Sequence, residues 1–249
     1  MRWRNQIQRI NLSRHTHAPL SLLLILVAIL SHGDASRPVD PLRNATTKSP
    51  AGLVALPCDQ TGDIRAAHAR YCQGEGRNWV TPTALDVLRQ GSARLARAYP
   101  QAHITYMDAS WPSGVRPMPP HVSHGDGREI DIALFYTDAS GKPLASPPIP
   151  IGYGAFEPPL PGEPRPCAIT SRSGAFPDPP ASRTWRLDEA RTRALIVALL
   201  ADARVQRILI EPHLEQRLGF AGNARVRFPG CYAMRHDSHF HVDIKRDVP

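Results

Sequence analysis

The sequence contains no CxxC pair, no internal repeat and no Arg-rich helical stretch with interleaved aromatics. The missing CxxC spacing argues against a zinc ribbon, and the missing repeat against a solenoid. Without a basic, aromatic-studded helix, nucleic acid is not an expected partner. No apolar run is long enough to cross a bilayer comfortably: the longest, at 20–30, is almost unbroken but covers 11 residues, where roughly 20 are needed. Aromatic residues make up only 6%, whereas proline is frequent at 26 of 249 residues. A Pro-rich chain of this length points to long ordered loops over a small scaffold. It suffices for one moderately large domain with a full core, or two small ones.

The apolar run belongs to an address segment. Arg2, Arg4, Arg9 and Arg14 precede it, and Gly33, Asp34 and Ala35 follow it with small residues that suit a signal peptidase. Residues 1–35 are therefore expected to be a signal peptide, with an uncleaved N-terminal anchor as the alternative and as the only expected link to a membrane. Residues 36–57, polar and Pro-containing, are expected to form a linker, and 58–249 the working domain. Export puts Cys58, Cys72, Cys167 and Cys231 in an oxidising compartment, periplasmic or extracellular, where an even count favours two disulfides. Of three pairings, Cys58–Cys72, which closes a short loop, with Cys167–Cys231 is preferred. Beyond residue 35 the chain carries 26 basic against 21 acidic residues, a balance that suits an anionic wall polymer but does not require one.

Periodicity predicts a helix over 83–98, with Leu85, Leu88, Leu95 and Tyr99 on one stripe, and a second over 187–201. A short helix is expected at 212–218, stopped by Gly219. Strands are expected at 103–107, 129–136, 205–210 and 239–244. The stretch 141–167, dense in proline and glycine, reads as a surface loop over or beside the site. This order implies an α+β domain, with a small, mostly antiparallel sheet and flanking helices.

Two constellations carry chemistry. The first is His121-Val-Ser-His124-Gly-Asp-Gly127, followed by Asp131 within an alternating strand. A carboxylate in a core strand costs several kcal/mol unless it is paired or binds a metal. The second is His236-Asp-Ser-His239-Phe-His241-Val-Asp-Ile244. Its period of two sends Phe240, Val242 and Ile244 one way and His239, His241 and Asp243 the other. Catalytic zinc takes three protein ligands of N and O type and keeps one position open. A His from a turn, an Asp from one strand and a His from another supply such a set. Isolated histidines are usually surface or satisfied core residues, and His68, His103 and His213 are read that way. An HxH pair alone is commonly incidental, and Asp131 alone can simply pair with an Arg; two clusters in one exported chain point to metal.

At these residues the sequence resembles the penicillin-insensitive murein endopeptidases, relatives of D-Ala-D-Ala metallopeptidases, lysostaphin-type enzymes and hedgehog domains. The matching elements are His121-x-x-His124-x-x-Gly127-x-x-x-Asp131 and His236-Asp-x-His239-Phe-His241-Val, with Arg116 eight residues before His124. The resemblance covers roughly 80–245 and implies that family's fold, with His124, Asp131 and His241 as Zn2+ ligands. It makes His239 the general base or transition-state stabiliser, His236 its support, Arg116 a binder of substrate carboxylate or oxyanion, and His121 a lesser ligand or supporting residue. The implied reaction is hydrolysis of an amide in peptidoglycan peptide stems or cross-links. Ser238 departs from the pattern, standing where those enzymes carry a second acidic residue. Other readings are a D-Ala-D-Ala dipeptidase or carboxypeptidase, a non-catalytic zinc-stabilised wall-binding module, and a disulfide-held structural protein without metal.

Overall fold

Thr81 starts the first long helix: its hydroxyl accepts the Ala84 N–H at 3.1 Å, and Pro82 occupies the first turn, where no N–H is needed. Helix α1 (Pro82–Ala98) buries Ala84, Leu85, Val87, Leu88 and Leu95, and Tyr99 closes it as C-cap. Asp188 caps α2 (Glu189–Leu200) by accepting the Arg191 N–H. Helix α3 (Pro212–Arg217) again begins with proline, and Gly219 follows it with φ +73°. The computed structural model describes residues 48–59, 61–72, 76–119, 121–148, 157–167 and 183–246. The expected signal peptide at 1–35 and most of the expected linker lie outside the described residues.

The strands are β1 (Val54–Ala55), β2 (Ile64–Ala66), β3 (Trp79–Val80), β4 (Ile104–Tyr106) and β5 (Glu129–Ala133). They continue with β6 (Tyr136–Asp138), β7 (Trp185–Leu187), β8 (Val205–Leu209), β9 (Val226–Arg227) and β10 (His239–Ile244). Six form one sheet in the order β2-β4-β5-β10-β8-β9, while β1 pairs with β3 and β6 with β7. The three inner pairs of the large sheet are antiparallel, but both outer pairs, β2 with β4 and β8 with β9, are parallel. The architecture is thus α+β with mixed sheets.

Two expectations change. The strand expected over 129–136 breaks after Ala133, because the Leu134 N–H turns to the Ser238 carbonyl and the Phe135 N–H to the Thr192 hydroxyl. The chain then leaves the sheet and restarts as β6. Residues 53–56, inside the stretch expected as a linker, are also packed: Leu53, Val54 and Leu56 are buried and β1 pairs with β3. Three apolar side chains within four residues outweigh the polar, Pro-containing composition around them.

Phe240, Val242 and Ile244 of β10 join one core with Ile130, Ile132, Leu88 and Leu195. The other face of β10 and β5 carries Glu129, Asp131, His239, His241 and Asp243 beside Ala133, all of them buried. Two disulfides, Cys58–Cys72 and Cys167–Cys231, close the pattern. They suggest an oxidising, extracytoplasmic environment. Among the described residues, no helix is long and apolar enough to cross a membrane.

Leu53 also braces the turn after His124. Gly127 has φ +80°, and a Cβ there would lie 2.7 Å from Leu53 Cδ2 and 2.9 Å from the Thr81 nitrogen. Both the backbone conformation and the space require glycine. Gly127→Ala is expected to cost about 2 kcal/mol and lower the melting temperature by roughly 4–8 °C. An unchanged thermal denaturation curve would sink this reading.

Candidate metal centre

The register of the sheet assembles the site. His241 lies directly opposite Asp131, His239 opposite Ala133 and Asp243 opposite Glu129. On the far side of β10, Arg207 faces Asp243 and Leu209 faces His241. His124 enters from the turn before β5, with its Nδ1 2.8 Å from the Ala109 carbonyl. That partner is an acceptor, so Nδ1 carries the proton and Nε2 presents a lone pair. His241 is fixed in the opposite sense: its Nε2 lies 3.0 Å from Asp243 Oδ1, so Nε2–H donates and Nδ1 presents the lone pair. Asp243 is held in turn by Arg207.

Three acceptor atoms consequently converge. His124 Nε2, His241 Nδ1 and Asp131 Oδ1 form a triangle with edges of 3.0, 3.0 and 3.1 Å, and all three residues are about 1% exposed. Buried lone pairs facing each other at that distance repel unless a cation or proton sits among them. A tetrahedral ion with bonds of about 2.0–2.1 Å spaces its ligands by roughly 3.3 Å. The triangle fits such an ion closely.

The other imidazoles surround this triangle. His239 Nε2 lies 3.7 Å from Asp131 Oδ2, and its Nδ1 shares a 3.0 Å hydrogen bond with the Ser238 hydroxyl. His236 donates from Nδ1 to the Met234 carbonyl at 2.6 Å, which turns Nε2 inwards. His121 lies 3.1 Å through Nε2 from Asp108 Oδ2, and its Nδ1 is 3.9 Å from Asp131 Oδ2. Two groups, His121 with His124 and Asp131, and Asp131 with His236 and His239, bring ligand atoms close enough to hold a metal ion.

The charges follow from these contacts. Burial alone would raise the Asp131 carboxyl, but the neighbouring imidazoles of His124, His239 and His241 hold it well below the usual range. Burial opposes charge on His241 as well, yet the Asp131 and Asp243 carboxylates beside it push it up to about 9. His236 is held well below the usual imidazole range, first by burial and then by the charge of His239.

A cleft of about 300 Å³ opens over the cluster. His121, His124, His236 and His241 line it, whereas His239 is not among its lining residues and is 1% exposed. Arg116 is absent from the lining too: its guanidinium pairs with Asp126 at 3.0 Å and Glu129 at 3.3 Å. Asp126 and Glu129, beside the 125–127 turn, hold the Arg116 side chain against that turn. Arg116 is fixed there by close backbone packing as well, since a Cβ on Gly125 would meet the Val115 carbonyl and come within 2.8 Å of Arg116 Cα.

Sequence reasoning missed Asp108, Arg77 and the role of Asp243. Asp108 is fully buried, and Arg77 pairs with its Oδ1 at 3.0 Å. Its parity with Ile104 and Tyr106 was the available signal. His213 lies apart from the cluster and donates from Nε2 to the Glu157 carbonyl at 2.6 Å. Glu157 is the first residue of the described part 157–167 of the Pro-rich stretch. Its carboxylate takes both guanidinium nitrogens of Arg183, and its N–H reaches the Asp237 carbonyl beside the second constellation. His68 caps a 3-10 turn through Nδ1, and His103 stands outside the cluster. No protein-family model matches the chain, and no curated protein shows a significant match to it.

Burial lowers the His213 imidazole to about 4. A depressed His contributes stability that is whole above its unfolded value near 6.5 and is lost as pH falls towards 4. Wild type is therefore expected to lose roughly 3 kcal/mol relative to His213→Gln between pH 7 and pH 4. Denaturant titrations at both pH values check this; parallel losses in the two proteins would refute it.

Proposed function

We infer that the chain is a periplasmic or secreted zinc-dependent peptidase, related in chemistry to the murein endopeptidases its motifs resemble. The observation that carries this reading is the triangle of three buried acceptor atoms beneath an open cleft. Tautomer-fixed imidazoles and a carboxylate are the donor set of zinc rather than of calcium or magnesium, which favour oxygen throughout. The carbonyl of Ala109 and the carboxylate of Asp243 fix the two histidines from behind, as outer partners of metal ligands commonly do. A zinc ion held by His124, Asp131 and His241 would supply Lewis acidity, polarising an amide carbonyl and lowering the pKa of water towards about 7.

The remaining steps belong to the chain's own side chains. His236 lines the cleft, is kept neutral by burial, and has its Nδ1 proton committed to Met234. Its Nε2 is thus available to accept a proton from attacking water and to return it to the leaving amine. His239, behind it and oriented by Ser238, stabilises charge near Asp131. This exchanges the emphasis of the sequence reading, in which His239 is the base and His236 its support. The peptidoglycan peptide as substrate rests on the motif resemblance at 121–131 and 236–242.

Ser238 favours one competing reading. It bonds to His239 in place of a second carboxylate, as a non-catalytic zinc-stabilised wall-binding module would allow. Digestion of purified cross-linked and uncross-linked muropeptides separates the possibilities. Cleaved cross-links are expected; dipeptide or single D-Ala release would mark the dipeptidase or carboxypeptidase reading instead. Binding to sacculi without new amine termini would mark the binding module.

The purified chain is expected to hold about one zinc, and His124→Ala and His241→Ala should each abolish both zinc retention and hydrolysis. Zinc at the wild-type level in both variants would overturn the site. His236→Ala should keep zinc and lower kcat by on the order of 10²-fold.

A further inference from the structure

Two chain segments line the cleft beside the imidazoles, and each sets a large apolar side chain in solvent at its rim. Val122, between His121 and His124, is 78% exposed, and Tyr232 is 90% exposed. The exposure of Tyr232 is not a consequence of loose chain. The Ala233 N–H bonds the Gly230 carbonyl at 3.1 Å, Gly230 turns with φ +95°, and Cys231 is tied to Cys167. The Met234 carbonyl is held by His236. Tyr232 therefore sits on a turn whose backbone is anchored at both ends.

Between these rims the cleft is lined by Leu209, Pro229, Ala233 and Met234. Among its described lining residues none is Lys, Arg, Asp or Glu. Water covers this apolar surface at a free-energy cost that an apolar ligand group removes, whereas a charged group there would lose hydration without gaining a partner. Exposed apolar side chains flanking a concave apolar wall beside reactive groups are the physical signature of a recognition pocket.

We propose that this wall is a specificity pocket, which takes an uncharged apolar side chain from the peptide residue next to the amide presented to the imidazoles. Val122 and Tyr232 are its specificity-determining residues. This inference rests on the peptidase reading for its substrate, but not for its test. Hydroxamates of N-acetyl leucine, glutamate and lysine share one metal-binding head and differ only in the side chain. Their binding to the zinc-loaded chain, measured by calorimetry, requires no turnover.

The leucine compound is expected to bind at least about tenfold more tightly than either charged one. In a Val122→Ser/Tyr232→Ser variant that preference should shrink to within about twofold, with zinc content retained. Equal or tighter binding of a charged compound to wild type overturns the pocket, as does a preference that survives both substitutions. A leucine preference in a protein that cleaves no peptide supports the pocket and sinks the peptidase reading. Peptide cleavage indifferent to the flanking side chain does the reverse.

Discussion

The pairing of His241 with Asp131 across β10 and β5 is the constraint on which the site depends. Side chains alternate along a strand, so a slip of one residue would put Phe240 or Val242 opposite Asp131 and carry the imidazole into the apolar core. The register is guarded on the other face, where Phe240, Val242 and Ile244 are wholly buried. Hydrophobic burial on one side of the sheet thereby aims the ligands on the other. His124 is then the one member supplied by a turn, and Gly125 and Gly127 let that turn approach the backbone of 115–116 and 80–81 closely enough to deliver it.

A buried cluster of six imidazole and carboxylate side chains has to be neutralised from outside as well as from its centre. Arg77 on Asp108 and Arg207 on Asp243 supply positive charge from the rim. Each carboxylate also orients one histidine, Asp108 holding His121 and Asp243 holding His241. The guanidinium, carboxylate and imidazole thus form short chains that end at the cluster. In a dry interior such chains make each lone-pair direction hard to change, which is what a metal centre of defined geometry requires.

The parts of this arrangement legible in the sequence were those encoded locally. Apolar periodicity marked the two long helices and Gly219 the end of the third, and the clean alternation of 239–244 assigned the faces of the strand that carries His241. Neighbouring parity also put Asp243 on the polar face. Strands of two or three residues, such as β2 and β9, had too few positions to show a period, and their parallel pairing depends on distant partners. The buried end of the expected linker was masked by the polar residues before it. The pairing of Arg116 with Asp126 and Glu129 was not legible either, because spacing to His124 says nothing about which carboxylates lie beside it. Which of His236 and His239 faces the cleft depends on how the Met234 carbonyl and Ser238 hydroxyl turn the rings, a matter of rotamers rather than pattern.

The order in which the ribosome delivers the ligands has its own meaning. His124 and Asp131 emerge early, and 110 residues separate Asp131 from His241. The strand bearing the last ligand is also the one between β5 and β8, so the sheet cannot close around its centre before that strand arrives. A growing chain therefore has no complete candidate metal site until its core can be completed. The convergence of His124, Asp131 and His241 and the finished fold come into being together.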